Sequence, residues 1–274
     1  MKKFFPMIMC IAMLAGCSSQ TAAVNIDTKE VSENTVTAAS GNFTDEMKID
    51  NSNDTDENGG ADFNERTGDH KESPYFNKVD FYNAKSDDTR TILTNYKTYQ
   101  QTNEFSCGIC ASLMAFDHYG MLGDKTEAGL SEKYKAGFDG SGTNLRQMKE
   151  IFEGEGLKTY STFDIIDNIK EHSDYFTYFN KDMIIENLKN NKPVLVCWND
   201  WGGHWESIIG YDTMGTDDEK DDVLIIADSY DCTDHNQDGY GVIPYQRFLY
   251  NFSAYTFFPE EELNDFLFIV PSEN

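Results

Sequence analysis

The stretch Gln101-Thr-Asn-Glu-Phe-Ser-Cys107-Gly-Ile-Cys-Ala-Ser-Leu-Met-Ala-Phe-Asp-His-Tyr119 decides the fold of this 274-residue chain. Its apolar residues recur at helical spacing, at Ile109, Leu113 and Phe116. This pattern predicts a helix over 107–119, with Ser106 as its N-terminal cap and Gly120 as its stop. Cys107 would then lie in the first turn, where unpaired N–H groups and the helix dipole favour a thiolate.

Gln101 lies one short loop before Cys107. Its side-chain N–H can point at the same place as the backbone N–H of Cys107. Two donors that converge beside a nucleophile form an oxyanion hole. A thiol nucleophile also needs a base, and the base needs a group that orients it.

Among the five histidines, His204 is the best candidate for this base. It opens a predicted strand over 204–211, and a second predicted strand, 223–228, ends in Asp228. His204 and Asp228 are equidistant from residue 216, close to the centre of the loop between these strands. A hairpin folded about that loop brings the two side chains within cross-strand reach, where Asp228 can orient the imidazole.

Taken together, residues 90–270 resemble the papain-like cysteine peptidases. The resemblance consists of the Gln101 to Cys107-Gly108 spacing, followed by His204 and Asp228 in that order. The Gly-Gly-His-Trp and Ala-Asp segments are most similar to the bacteriocin-processing (double-glycine-leader) branch. The resemblance implies that Gln101 contributes to the oxyanion hole, Cys107 is the nucleophile, His204 the base and Asp228 its orienting partner. It also implies a peptide or protein substrate, and neither a metal nor an organic cofactor.

Further elements complete the predicted fold. Helices are predicted over 144–153, capped by Thr143, and over 181–190. Buried-type strands are predicted over 193–198 and 266–270. Helices that come first and an antiparallel sheet that follows indicate an α+β fold, with N-terminal helices packed on a C-terminal antiparallel sheet. The papain-like resemblance implies the same arrangement.

The N-terminus has the features of a bacterial lipoprotein signal. Two lysines precede a short apolar run that ends in Leu14-Ala15-Gly16-Cys17, which predicts a signal peptide over 1–16. The run is too short to span a bilayer. By its resemblance to the lipobox, Cys17 would carry the lipid that anchors the protein to a membrane, facing outside the cytoplasm.

Composition divides the rest of the chain. Residues 17–75 are mostly small, polar or acidic and show no apolar period, which predicts a disordered acidic tether. Residues 76–274 are dense in aromatic side chains and predict one folded domain. The net charge of −26 argues against nucleic acid as a partner. The sequence leaves the oligomeric state open.

Two other functions and one question about the remaining cysteines stay open. Cys107-Gly-Ile-Cys110 is also the thioredoxin-like redox motif, although no βαβ unit surrounds it. The domain could also be a catalytically inactive, peptidase-like binding module. Cys197 and Cys232 could form a disulfide or remain two buried thiols.

Two further features have more than one interpretation. The segment Asp234–Gly239 matches the first half of a calcium loop, but Tyr245 stands where that loop needs a bidentate Glu. Trp201 and Trp205 flank His204 and suit either a substrate groove or the core.

Overall fold

The computed structural model describes residues 46–54, 60–61, 79–138, 140–200, 202–231, 238–253, 258 and 263–273. All of them fall within the unit Ala39–Asn274. The predicted signal peptide and Cys17 lie outside the described residues. Within the described ranges, no helix has the length and apolar character needed to cross a membrane.

A seven-stranded sheet in which every strand pairing is antiparallel forms the C-terminal layer. Its strands are β1 (Arg90–Ile92), β2 (Lys158–Ser161), β3 (Val194–Asn199), β4 (Gly203–Asp212), β5 (Val223–Ala227), β6 (Tyr240–Pro244) and β7 (Leu267–Ser272). The order is β2-β7-β3-β4-β5-β6, and β1 pairs with the last residues of β4. Strand β4 is therefore central, and its first residue pairs with Asn199 at the end of β3.

Helices pack on this sheet, and the first three lie in the N-terminal half of the described chain. They are α1 (Cys107–His118), α2 (Glu127–Tyr134), α3 (Leu145–Gly154), α4 (Thr162–Ile165), α5 (Tyr175–Tyr178), α6 (Lys181–Lys189) and α7 (Tyr245–Tyr250). Helix α1 is buried from Cys107 through Phe116 and packs against β4. The predicted α+β arrangement of N-terminal helices on a C-terminal antiparallel sheet is confirmed.

The predicted helices and strands recur with small shifts at their ends, but one predicted cap is wrong. Helix α3 is capped by Asn144, whose side chain accepts from the backbone N–H of Gln147 while the Gln147 side chain caps in return. Thr143 is instead buried against Gly108 of α1. Asn144 is the cap instead of Thr143 because it forms a reciprocal capping box with Gln147, three residues further on.

Several described residues of the stretch 17–75, predicted as a tether, pack on the folded domain. Met47, Asp54 and Ala61 are buried, and Lys48 forms a parallel bridge with Thr98. This stretch is polar and has no periodic pattern, so its sequence does not reveal the packing. Its backbone and the carboxylate of Asp54 form hydrogen bonds with the domain instead.

Candidate active site

Cys107 begins α1 and is 7% exposed. The residue that follows it, Gly108, lies so close to the chain before α3 that a Cβ there would be 2.7 Å from the Cβ of Thr143. Only glycine permits this approach without a shift of the backbone. The Cys-Gly pair therefore places a thiol at the positive end of a helix that is packed tightly at its start.

His204 is the second residue of β4 and is 2% exposed. Its Nε2 lies 2.6 Å from Oδ1 of Asp228, and the ring also hydrogen-bonds Cys107. Because a carboxylate can only accept, Nε2 carries a hydrogen, which leaves Nδ1 for the thiol. The imidazole therefore lies between a carboxylate and a thiol.

The electrostatic environment favours the charged form of this imidazole. Burial alone would lower the pKa of His204. The charge and hydrogen bond of Asp228, together with those of Cys107, outweigh burial and raise the pKa of His204 well above its ordinary value. A proton taken up from the thiol would thus be stabilised on the ring.

Asp228 follows the last residue of β5, in the predicted hairpin with β4. Ser207 pairs with Ala227, so Asp228 continues opposite Glu206, and His204 is its diagonal neighbour. Side chains two positions apart on a strand share a face, which puts His204 and Glu206 on the same side as Asp228. Diagonal neighbours are within reach of long side chains.

The predicted proximity of His204 and Asp228 is confirmed, but the predicted register, centred on residue 216, is wrong by two residues. Next to the loop, Asp212 pairs with Val223, so the hairpin is centred between residues 217 and 218 and not on 216. The bulge between Ile208 and Gly210 then shifts the pairing by one residue, back toward the predicted register. The local sequence shows neither the exact turn nor the position of this bulge.

Gln101 is buried, and its side-chain amide is held at both ends. Its Nε2 donates to the backbone carbonyl of Asn103 at 2.8 Å, and its Oε1 accepts from the hydroxyl of Ser229 at 2.7 Å. The carbonyl of Asn103 accepts only, so this contact fixes which end of the amide is the donor. One N–H of Gln101 is thus committed, and the second is the one that could serve an oxyanion beside Cys107.

Glu127, the first residue of α2, is fully buried and holds the loop that leads to Cys107. Its carboxylate accepts from the backbone N–H of Thr102 at 3.1 Å, from that of Asn103 at 3.2 Å and from the Ser106 hydroxyl. The Thr102 hydroxyl also donates to it, and the oxygen of the Tyr99 hydroxyl lies 3.1 Å away. Burial raises the pKa of Glu127 against the opposing effect of these hydrogen bonds. The sequence analysis missed this residue, because no local pattern connects it with a loop more than twenty positions earlier.

Glu206 is a second acid that the sequence analysis missed, although its position two residues after His204 on one strand could have revealed it. It is buried, and its Oε2 accepts from the indole N–H of Trp198 at 2.5 Å. Burial, followed by the charge of Asp228, raises the pKa of Glu206 well above its ordinary range. These conditions favour a protonated carboxyl beside the imidazole.

His204, Glu206 and Asp228 form the one group of possible metal ligands found among the described residues, with ligand atoms within 4.8 Å of one another. Nε2 of His204 is already bonded to Asp228, and one oxygen of Glu206 to Trp198. A cation would have to displace the first of these bonds. The donor set therefore suits proton transfer better than metal binding.

The remaining cysteines and tryptophans that the sequence singled out contribute mainly to the core. Cys110 and Cys197 are buried, free thiols, and burial raises the pKa of each well above its ordinary value. Trp205 is buried and donates its indole N–H to the carbonyl of Thr143 at 2.7 Å. The predictions that concern Trp201, Cys232 and residues 234–237 of the half-matched calcium loop lie outside the described residues.

Comparison with known proteins shows a similarity in structure but none in sequence. No protein-family model and no curated protein matches the sequence. The structure is similar to the crystal structure of the peptidase domain of Streptococcus ComA, a bi-functional ABC transporter involved in a quorum sensing pathway. The match has a TM-score of 0.40 and 18% sequence identity, and covers 65% of this chain and 99% of that domain.

Proposed function

We propose that this protein is a cysteine peptidase of the papain-like type, with Cys107 as nucleophile, His204 as base and Asp228 as the residue that orients the base. One observation carries the proposal: the buried ring of His204 lies between Asp228, at 2.6 Å, and the thiol of Cys107. Nucleophile, base and orienting group in hydrogen-bond contact are what covalent acyl transfer by a thiol requires.

The proposed reaction uses only residues of this chain. His204 takes the proton of the Cys107 thiol, and the thiolate attacks the carbonyl carbon of a peptide bond. The oxyanion accepts from the backbone N–H of Cys107 and the free N–H of Gln101. His204 then donates its proton to the leaving amine as the C–N bond breaks. Water, deprotonated by His204, cleaves the thioester and restores the thiol.

The peptidase is tested by incubating the purified full chain with a peptide library and detecting new termini by mass spectrometry. We expect cleavage by the wild type, none by Cys107→Ala, and none after treatment with iodoacetamide. Cys110→Ala is the matched control, since it removes a thiol one helical turn away, and it should retain cleavage. A wild type that cleaves no peptide would refute the peptidase and favour the inactive binding module.

Alkylation of the two neighbouring thiols separates a peptidase from a thiol–disulfide redox protein. A peptidase nucleophile is free, so Cys107 should label without reductant. Cys110 should hardly label, because burial raises its pKa well above the ordinary value. A redox pair predicts a Cys107–Cys110 disulfide that labels only after reduction. Peptide mapping with and without reductant distinguishes these outcomes.

We further propose that the protein is a lipoprotein anchored to a membrane through Cys17, facing outside the cytoplasm. The proposal is based on the basic start, the short apolar run and the Leu-Ala-Gly-Cys sequence. Cell fractionation tests it: Cys17→Ala should be recovered in the soluble fraction, while the wild type stays with membranes after a high-salt wash. A variant that remains membrane-bound would contradict the lipid anchor.

A further inference from the structure

The described N-terminal residues 46–54 and 60–61, here called the N-terminal segment, run along residues 98–103, which lead to the candidate nucleophile. The backbone N–H of Thr98 donates to the carbonyl of Met47, and the N–H of Ile49 donates to the carbonyl of Thr98, both at 2.9 Å. These are backbone hydrogen bonds of the kind that joins two strands. The segment is thus fastened to the chain just before Gln101.

Asp54 connects this segment to the acid that holds the nucleophile loop. It is 7% exposed and accepts from the Tyr99 hydroxyl at 2.9 Å and from the backbone N–H groups of Glu127 and Ala128 at 3.0 and 3.2 Å. The N–H groups belong to the first turn of α2, where a carboxylate stabilises the helix dipole. Asp54 therefore restrains the backbone of Glu127, whose side chain in turn bonds Thr102.

Gly60 contacts the loop itself. A Cβ at this position would be 2.7 Å from the carbonyl carbon of Thr102, 2.8 Å from the N of Asn103 and 2.9 Å from the carbonyl oxygen of Gln101. All three atoms belong to the backbone, so no side-chain rotation could relieve the clash. Gly60 also has φ +70°, a conformation that costs other residues energy. The segment thus lies directly against the peptide units between the two proposed oxyanion donors.

We infer that Asp54 and Gly60 are positioning residues, through which the N-terminal segment holds the loop from Gln101 to Cys107 in its working geometry. The inference rests on the proposed peptidase function. The two residues act at different points: Asp54 on the helix start that carries Glu127, and Gly60 on the backbone of Thr102 and Asn103. The part of the chain that joins the proposed membrane anchor to the domain would then also complete the active site.

The test compares Gly60→Ala with Gly123→Ala in the full chain. Gly123 has φ +57°, but nothing lies within 4 Å of a Cβ placed there. Both substitutions introduce the same kind of backbone strain, and only Gly60→Ala meets the nucleophile loop. We expect kcat to fall about tenfold to a hundredfold for Gly60→Ala, with KM little changed, since displacement of reacting groups by an ångström has effects of this size. Gly123→Ala should keep the wild-type kcat.

Hydrogen exchange gives a measure that does not depend on activity. The amides of Thr102 and Asn103 should exchange faster in Gly60→Ala than in Gly123→Ala, because their bonds to Glu127 are disturbed. If Gly60→Ala fails to fold, Asp54→Asn replaces it, with Asp50→Asn, an exposed acid of the same segment, as its control. Asp54→Asn directs an amide N–H toward donors, so it should produce the same two effects.

Each result has a defined meaning. Gly60→Ala and Asp54→Asn that match their controls in both kcat and exchange would overturn the inference. A wild type without peptidase activity would instead refute the proposed function. In that case the exchange rates alone decide whether the N-terminal segment orders the loop.

Discussion

Two regions of the molecule bring the candidate catalytic groups together, and they are built by different forces. The hairpin of β4 and β5 carries His204 and ends just before Asp228, and its strands are almost entirely buried, with apolar residues such as Ile208, Ile209 and Ile226 in the core. The loop from Gln101 to Ser106 carries the thiol side of the site and is held mainly by hydrogen bonds to the buried carboxylate of Glu127. The base is thus positioned by hydrophobic packing, and the nucleophile by a polar network.

The two halves of the site should therefore differ in their sensitivity to single substitutions. Burial of apolar strands is distributed over many contacts, so no single polar substitution on one face removes it. A polar network centred on one buried acid depends on that single residue. Its substitution leaves every donor without its acceptor at once, which lowers the stability of the whole loop. The predictions that follow address one region at a time.

The largest effect is expected at the hairpin, from His204→Ala. Loss of the base should lower kcat/KM about a hundredfold to ten-thousandfold, since a general base contributes roughly two to four orders of magnitude. The fold should survive, as judged by an unchanged circular dichroism spectrum. The control is His118→Ala, which removes an imidazole at the end of α1 that contacts the carbonyl of Asn191 instead. Loss of turnover in His118→Ala but not in His204→Ala would mean that the base is assigned to the wrong residue.

The next largest effect is expected in the loop, from Glu127→Gln. The amide would direct an N–H at the backbone donors of Thr102 and Asn103, which cannot rotate to accept. One buried group left unsatisfied costs about 1–3 kcal/mol, so the free energy of unfolding in urea should fall by that amount. Turnover should fall about tenfold or more as the loop loosens. Glu132→Gln, an exposed acid on the same helix, should change neither quantity.

Glu127→Gln also tests whether the hairpin and the loop are held in place independently of each other. If the two regions are held independently, the proton affinity of His204 in this variant, read by NMR titration of the ring, should respond only to the displaced thiol. The Asp228 contact should remain. A variant that loses the Asp228 contact as well would show that the polar loop, and not the apolar hairpin, organises both halves.

The hairpin side of the site was easier to predict from the sequence than the loop side. Apolar runs and a symmetric loop were enough to place His204 near Asp228, because periodicity reports which face of a strand is buried. The bulge between Ile208 and Gly210 was not predicted, since the pairing of residues across a sheet cannot be read from the local sequence. Both ends of α1 were predicted from local residues, Ser106 at its start and Gly120 just beyond its end.

The network around the loop could not be predicted in this way. Asp54, Tyr99 and Glu127 are far apart in sequence and meet only after the domain has folded. Ser106 illustrates the point, because its hydroxyl makes no cap and instead donates to Glu127, with the carbonyl of Asn103 also within hydrogen-bond distance. A polar side chain has several possible partners, and only the tertiary structure selects among them.

A smaller effect is expected from Asp228→Asn, which keeps the shape of the hairpin and removes one charge. Asparagine can still accept from Nε2 of His204, so orientation should be partly kept. A hydrogen bond to a charged group is worth about 1.5–3 kcal/mol, compared with about 1 kcal/mol for a neutral one. We therefore expect kcat to fall about tenfold, which steady-state kinetics would measure. A loss as large as that of His204→Ala would show that Asp228 does more than orient the base.

The smallest effect is the pH dependence of stability that this same pair imposes. Asp228 and Cys107 raise the pKa of His204 in the folded protein above that of the unfolded chain, which is about 6.5. The stabilisation is therefore fully present below about pH 6.5 and is lost as the pH rises through the folded pKa. Each tenfold gain in proton affinity contributes about 1.4 kcal/mol.

The difference in unfolding free energy between wild type and Asp228→Asn isolates this contribution, because groups common to both proteins largely cancel. Glu206 lies on the same face, and burial together with the charge of Asp228 raises its pKa well above the ordinary range. Urea unfolding at intervals from about pH 6 to about pH 9 should show the difference shrinking as the pH rises. A difference that stays constant would mean that the imidazole is neutral beside Asp228 throughout. The hairpin would then orient a base that is ready to accept the proton of the thiol, but would not stabilise the ion pair that the transfer creates.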